Sequence, residues 1–342
     1  MTVRLVEPTL PSLRFHTTAT PTLFDLGLSE NPFPPLPSVL AAVNLALTQA
    51  NRYPDFLPEE LPRVIADHLG VSPDDVVVGA GATGVAMQVT RALGSGEILT
   101  STPTFDGYPI MADMAGMTLV PVPLAPRGDQ DLSAMRRAVN RRTALIVLCR
   151  PHNPTGTVLD AAAVGSFLAA IPQRVPVLLD EAYVEFLAPT DRLDIHTLLR
   201  RHPNLIVLRT FSKAYGLAGL RIGYCVGHGE LIERIRRQQL PFGIPTTSVA
   251  AVRAAYAAGT ELRDRVDHIN RERELVRMSL RGCGIDVPRS SANFLYLPGP
   301  GVATALRRAG IKAKAYPDGS ARIAVGDPAA GRAVHAALVD LR

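Results

Sequence analysis

Residues 76–85 read VVVGAGATGV, and VAMQVTRAL continues from Val85 in a helix-like pattern. An apolar strand running into Gly79, Gly81 and Gly84 fits G-x-G-x-x-G, where glycines permit a tight turn and bring backbone N–H groups up to a phosphate. The same alternation continues downstream. DDVVVGA, EILTST, MTLVPVPL, TALIVLCRP, VPVLLDEA and NLIVLRTFS are short, mostly apolar runs, as strands buried on both faces should be. Helical stretches such as LSAMRRAVN and AVGSFLAAIP fall between them. The pattern predicts an α/β domain with a mostly parallel central sheet sandwiched by helices.

Three segments follow from working outward. Residues 1–35 are proline-rich and read as an extended arm that packs with a small domain. Residues 36–240 hold the large domain. From 241 to 342 a long charged amphipathic stretch leads into SANFLYLP, GVATALRRAG, IKAKAYP and ARIAV, which reads as a smaller α+β domain.

With 342 residues, 47% hydrophobic and 20% charged, the composition is that of a soluble globular protein, and a cytoplasmic enzyme is expected. No apolar run approaches the roughly 18 residues of a membrane helix, and the first residues lack a signal-peptide pattern. Cys149, Cys225 and Cys283 lie far apart with no C-x-x-C, which removes the usual support for a disulfide scaffold or a zinc site. The net charge is +5, but the basic residues are scattered, so no nucleic-acid partner is expected. A small anionic substrate suits the excess equally well.

Ligands in open α/β sheets bind beyond the carboxyl ends of the strands. Five such ends carry polar candidates: Gly79–Gly84; Tyr108 in PTFDGY; Asn153 in PHNPTG; Asp180, Glu181 and Tyr183 in DEAY; and Ser212 and Lys213. A dinucleotide site wants an acid at the end of the second strand, yet EILTST ends in Ser101 and Thr102, with Glu97 at the wrong edge. A single phosphate is the better guest, held by the N–H groups of residues 82–84. Lys213 directly after a buried strand, and Asp180 emerging from another, are costly unless used. Lysine attachment with an aspartate facing a pyridinium is what pyridoxal phosphate requires.

The motifs LSENPF, RYPD, GAGATG, HNPTGT, DEAYVEF, TFSKAYGLAGLRIGY, SANF and ARIAVG occur in that order over nearly the whole chain. Together they resemble the fold-type-I pyridoxal-phosphate enzymes of the class I/II aminotransferases, above all the histidinol-phosphate and related aromatic aminotransferase branch. The resemblance implies that Lys213 bonds the cofactor and moves the proton between substrate Cα and cofactor C4′, with Asp180 holding the ring nitrogen protonated. Asn153 and Tyr183 would bond the phenolic oxygen, and Tyr108 would stack on the ring. Ser212, Arg221 and the backbone at Gly81, Ala82 and Thr83 would hold the phosphate. Tyr53 would reach the phosphate of a neighbouring subunit, making the active unit a homodimer. Arg322 would clamp the substrate carboxylate, with Asn31, Phe33 and Lys314 also at the substrate.

Several positions depart from the family pattern. Thr83 and Gly84 replace a Ser/Asp-Glu pair, Lys314 an arginine, Phe33 a tyrosine and His152 an asparagine. These leave amino transfer between histidinol phosphate or an aromatic amino acid and 2-oxoglutarate or glutamate as the expected reaction, with the departures bearing on the choice of donor. Specialised-metabolism transamination and threonine-phosphate-type decarboxylation remain alternatives. A sensor fused to a DNA-binding module is disfavoured, because the chain begins within the arm; hydride transfer to NAD is an outsider.

Overall fold

The computed structural model describes residues 23–339 and Leu341. Among these residues the strands form three sheets. β1 (Phe24–Asp25) pairs in parallel with β10 (Ile311–Lys312). The large sheet places β2 (Val76–Ala80), β8 (Ile222–Val226), β7 (Leu205–Thr210), β6 (Val177–Asp180), β5 (Thr143–Cys149), β3 (Glu97–Thr102) and β4 (Thr118–Pro123) side by side in that order. Only β8 runs against its neighbours. The fold is thus α/β, with a mostly parallel sheet flanked by helices.

All six apolar runs became strands. β5 shows why: its residues are buried almost without interruption, since helices cover both faces of the sheet. β4 carries Pro121 and Pro123 and accordingly sits at an edge, where a missing N–H breaks no ladder. The sequence reading leaves out β8, a five-residue strand hidden inside the glycine-rich 210–224 motif.

The third sheet is antiparallel, in the order β11 (Lys314–Ala315), β12 (Ala321–Ala324), β9 (Phe294–Leu297). Its register sets Lys314 directly across from Arg322, so the two cations share one face. Phe294, Leu295, Leu306, Ile323 and Val334 build a core of their own here, and Phe24, Leu26 and Phe33 of the arm pack against it. The rest of the arm expectation falls on residues 1–22, outside the described residues. Helix Thr246–Ala257 packs in the large-sheet core through Ala251, Val252 and Ala255, whereas Val266 and Ile269 belong to the second core. The change of core along these helices therefore falls between Ala258 and Val266. No helix among the described residues is long and apolar enough to cross a membrane.

Candidate active site

The carboxyl ends of β2, β3, β5, β6 and β7 open into a cavity of ≈ 310 Å³, closed on its far side by the arm and by β11 and β12. Ala82, Thr83, Tyr108, Asn153, Asp180, Tyr183, Ser212, Lys213, Arg221, Lys314 and Arg322, all candidates from the sequence, line it. β6 and β7 are neighbours, with Asp180 opposite Leu208, so the chain delivers Asp180 and Lys213 from adjacent strand ends.

Lys213 Nζ donates to the arm carbonyls of Ser29 (3.1 Å) and Leu28 (3.3 Å) and stands 5.8 Å from the centre of the Tyr183 ring. Burial, reinforced by the Arg322 charge, brings its amine down to about 8. The neutral, nucleophilic form is therefore accessible near physiological pH. Asp180 accepts from the Ala182 N–H (3.0 Å) and from the Tyr108 hydroxyl (2.5 Å), yet burial still raises its carboxyl above the ordinary range. A cationic group in the cavity would reverse that tendency.

The β2 end forms the anion cradle. Helix Gly81–Leu93 starts there with no side-chain cap from Ala80, leaving its first N–H groups to be answered by something else. Gly81 has φ +77°, and a Cβ on it would meet Arg221 Nη2 at 2.2 Å. A Cβ on Gly223 would meet the Ala82 nitrogen at 2.2 Å. Arg221 itself adopts the left-handed φ of 53°, a strain that fits a functional position. Ser212 closes the cradle, its N–H donating to Thr210 Oγ1 (3.1 Å).

On the opposite wall Arg322 donates to Asn153 Oδ1 (2.6 Å) and to the Gly27 carbonyl (2.7 Å), while its buried Nε has no partner. An orphaned guanidinium nitrogen is answered well by a carboxylate. Asn153 Nδ2 donates to the Tyr183 hydroxyl over 3.4 Å. Burial pushes that phenol up to about 12. Lys314 is ion-paired with Asp106 at the rim.

The structure adds contacts at five residues singled out in the sequence. Tyr108 lies in the cavity wall, but its hydroxyl engages Asp180, which ring stacking alone would not require. Asn31 does not line the cavity; its Nδ2 donates to the backbone carbonyls of Lys213 and Ala214 (3.0 Å each) and so steadies the lysine from behind. Phe33 is also outside, packed edge-on to His268 with ring centres 5.2 Å apart. Tyr53 is 84% exposed, tilted against Phe242 and away from this chain's cavity. His152, the departure before NPTG, is buried and bridges Ser101 (3.1 Å) to Thr155 (2.8 Å), so it braces the loop.

Sequence reasoning missed Asp106, Phe105, Met111 and Tyr316, which also line the cavity. PTFDGY and IKAKAYP contain three of them, but neither motif marks which residue turns inward. Glu97, considered for a ribose, is spent on Arg142 (3.2 Å) and Asn140 (2.7 Å).

Comparison with known proteins agrees with this geometry. The family model "Aminotransferase class I and II" matches residues 21–329. An aromatic amino acid aminotransferase of Cutibacterium acnes is 47% identical over 274 residues, 80% of this chain and 78% of that protein. Its counterpart in Nocardia farcinica is 39% identical over 334 residues, covering 94% and 93%. The crystal structure of histidinol-phosphate aminotransferase from Sinorhizobium meliloti in complex with pyridoxal-5′-phosphate superimposes with a TM-score of 0.86 at 31% identity, covering 94% of this chain and 91% of that one. The chain belongs to the class I and II aminotransferases and is a pyridoxal-phosphate-dependent enzyme of that family.

Proposed function

We propose that this enzyme binds pyridoxal phosphate on Lys213 and moves amino groups between aromatic amino acids and 2-oxoglutarate. The carrying observation is the shared cavity of Lys213 and Asp180, with the amine brought down to about 8. The cradle of Gly81 and Gly223, where a Cβ would collide, suits a phosphate held by Ser212, Arg221 and the N–H groups of Ala82 and Thr83. When bound, the cofactor supplies an electron sink for the pair released as the substrate Cα–H bond breaks.

The chain's own residues would do the rest. Lys213 would take the proton from the substrate Cα and deliver it, on the same face, to the cofactor carbon on the other side of the amino nitrogen. Asp180 balances a proton on the pyridine nitrogen, while Asn153 and Tyr183 hold the phenolic oxygen. Arg322 takes the substrate α-carboxylate, using its orphaned Nε.

Aromatic donors are favoured because Phe105, Met111, Leu28 and Tyr316 line the cavity, and because Lys314 already has Asp106 as its counter-ion. The names of the C. acnes and N. farcinica relatives point the same way. Opposing this, Lys314 and Arg322 are cross-strand neighbours and could share a phosphate, which keeps histidinol phosphate as the second reading.

The reading includes a homodimer. Leu45, Leu47, Tyr53, Phe56, Leu57, Leu240 and Phe242 are exposed apolar or aromatic side chains, and Phe242 touches the rings of both Tyr53 and Phe56. A second copy docking there would bring Tyr53 towards its neighbour's phosphate site.

Borohydride reduction followed by mass spectrometry should trap the cofactor on Lys213, and Lys213→Ala should carry no adduct. A panel of phenylalanine, tyrosine and histidinol phosphate with 2-oxoglutarate then ranks the donors. A trapped adduct on another lysine would refute the site.

A further inference from the structure

Directly behind the cavity, on the opposite face of the sheet, lies an ion pair that the amino-transfer chemistry does not use. Arg209 on β7 donates through both Nε (3.0 Å) and Nη2 (2.7 Å) to one oxygen of Glu181. The Glu181 side chain is fully buried and that of Arg209 is 14% exposed. Glu185 adds a second carboxylate within electrostatic reach of the same guanidinium, and burial pushes it up to about 7. Tyr224 is the cross-strand neighbour of Arg209 on β8.

The placement of this pair is what matters. The paired register of β6 and β7 ends at Asp180 opposite Leu208, beyond which the two chains diverge. Glu181 and Arg209 are the next residue on each strand. Their backbones still hold one bond, from the Glu181 N–H to the Leu208 carbonyl (2.8 Å). Side chains alternate along a strand, so Asp180 and Leu208 face the cavity while Glu181 and Arg209 face the core. The pair therefore ties the two chain segments together where one presents Asp180 and Tyr183 and the other runs on to Lys213. A buried pair is weak evidence for stability, because desolvating two ions offsets most of their attraction. Its geometry fits a different task.

We infer that Arg209 and Glu181 are positioning residues, a clamp that fixes the spacing between Asp180 and Lys213 on the other side of the sheet. This rests on reading those two residues as the cofactor's partners. Losing the clamp misplaces reacting groups by fractions of an ångström, for which a rate loss of about ten- to a hundredfold is the expected scale.

The test uses holoenzyme and two variants. Arg209→Met/Glu181→Leu removes both partners at once and leaves Glu185, already raised to about 7 by burial, to take up a proton. Like other apolar replacements of buried pairs, the variant should therefore melt as cooperatively as wild type. Arg209→Lys keeps the charge but loses the two-nitrogen grip. The clamp requires that the double variant show a cofactor dissociation constant about tenfold higher, with kcat reduced at least tenfold and KM within about twofold. Arg209→Lys should fall between it and wild type. A folded double variant with wild-type cofactor affinity and kcat would overturn the proposal. So would loss of cooperative melting in the double variant, since the pair would then serve folding. Wild-type protein is assayed alongside for cofactor trapped on Lys213: failure there defeats the underlying reading, whereas normal trapping with indifferent variants defeats the clamp alone.

Discussion

The hydroxyl of Tyr108 donates to Oδ2 of Asp180 across 2.5 Å, with both side chains in the wall of the cavity. That carboxylate is the one proposed to face the pyridine nitrogen, so Tyr108 and the cofactor serve the same acceptor. Tyr108→Phe strips a donor from a buried carboxylate, a loss of about 1–3 kcal/mol for the cofactor-free protein. Saturating pyridoxal phosphate should shrink the deficit, since the ring nitrogen supplies a replacement. Thermal melts with and without cofactor check this. An equal deficit in both would mean that the nitrogen does not reach Asp180.

Lys213 gives a pH dependence with a definite sign. Its amine is brought from 10.5 to about 8 by burial and by Arg322. Below pH 8 the amine is protonated and cannot attack an aldehyde. The rate of cofactor capture by apoenzyme should therefore rise with pH up to about 8 and then level off. Linkage runs in the same direction: between about pH 8 and 10.5 the unfolded chain holds a proton that the folded one has released, so this residue's contribution to stability improves across that window. Stopped-flow absorbance of reconstitution measures the first effect. A rate still climbing at pH 10 would mean an unperturbed lysine.

Gly81, like Gly223, is a position where the cradle tolerates no side chain. At φ +77° an alanine is strained by about 1 kcal/mol or more, and its Cβ would lie 2.2 Å from Arg221 Nη2. Arg221 must then move out of the phosphate's reach. Gly81→Ala should raise the cofactor dissociation constant at least tenfold, read by fluorescence titration, with the fold retained by circular dichroism.

Much of this site was legible because strands report their own ends. Asp180, Asn153, Ser212 and Lys213 each follow an apolar run, and parallel strands must bring their carboxyl ends to one edge. What could not be read locally are contacts closed by the chain's return. Lys213 meets carbonyls 184 and 185 positions earlier in the sequence, and Lys314 meets Asp106 from 208 positions away. Asn31, placed at the substrate by the resemblance alone, gives its amide to the backbone carbonyls of Lys213 and Ala214, a contact no local pattern announces. β8 escaped notice since IGYCV is short and follows directly on a glycine-rich turn.

His152 replaces an asparagine of the family pattern, and its environment predicts a cost in acid. Buried between Ser101 and Thr155, it is brought from 6.5 to about 3 by desolvation. Between those values the unfolded chain binds a proton that the folded one refuses, so stability falls as pH drops through that window, by at most about 1.4 kcal/mol per unit. His152→Asn should flatten this part of the curve. Urea midpoints from pH 4 to 7 for both proteins isolate the difference, and parallel curves would show that the histidine charges freely.

The rim pair offers control over the amino donor. Lys314 is balanced by Asp106, and its cross-strand neighbour Arg322 is already engaged by Asn153 and Gly27. Asp106→Asn removes the counter-ion while keeping the shape, leaving Lys314 free beside the second cation. Donors ending in an anion should gain, with kcat/KM for histidinol phosphate rising by about three- to tenfold relative to phenylalanine, the scale of one partly exposed charge contact. Lys314→Ala should cancel that gain and leave phenylalanine within about twofold of wild type. Should Lys314→Ala instead depress phenylalanine turnover strongly, the lysine would be part of the aromatic site and the assignment of the cavity to uncharged rings would have to be withdrawn.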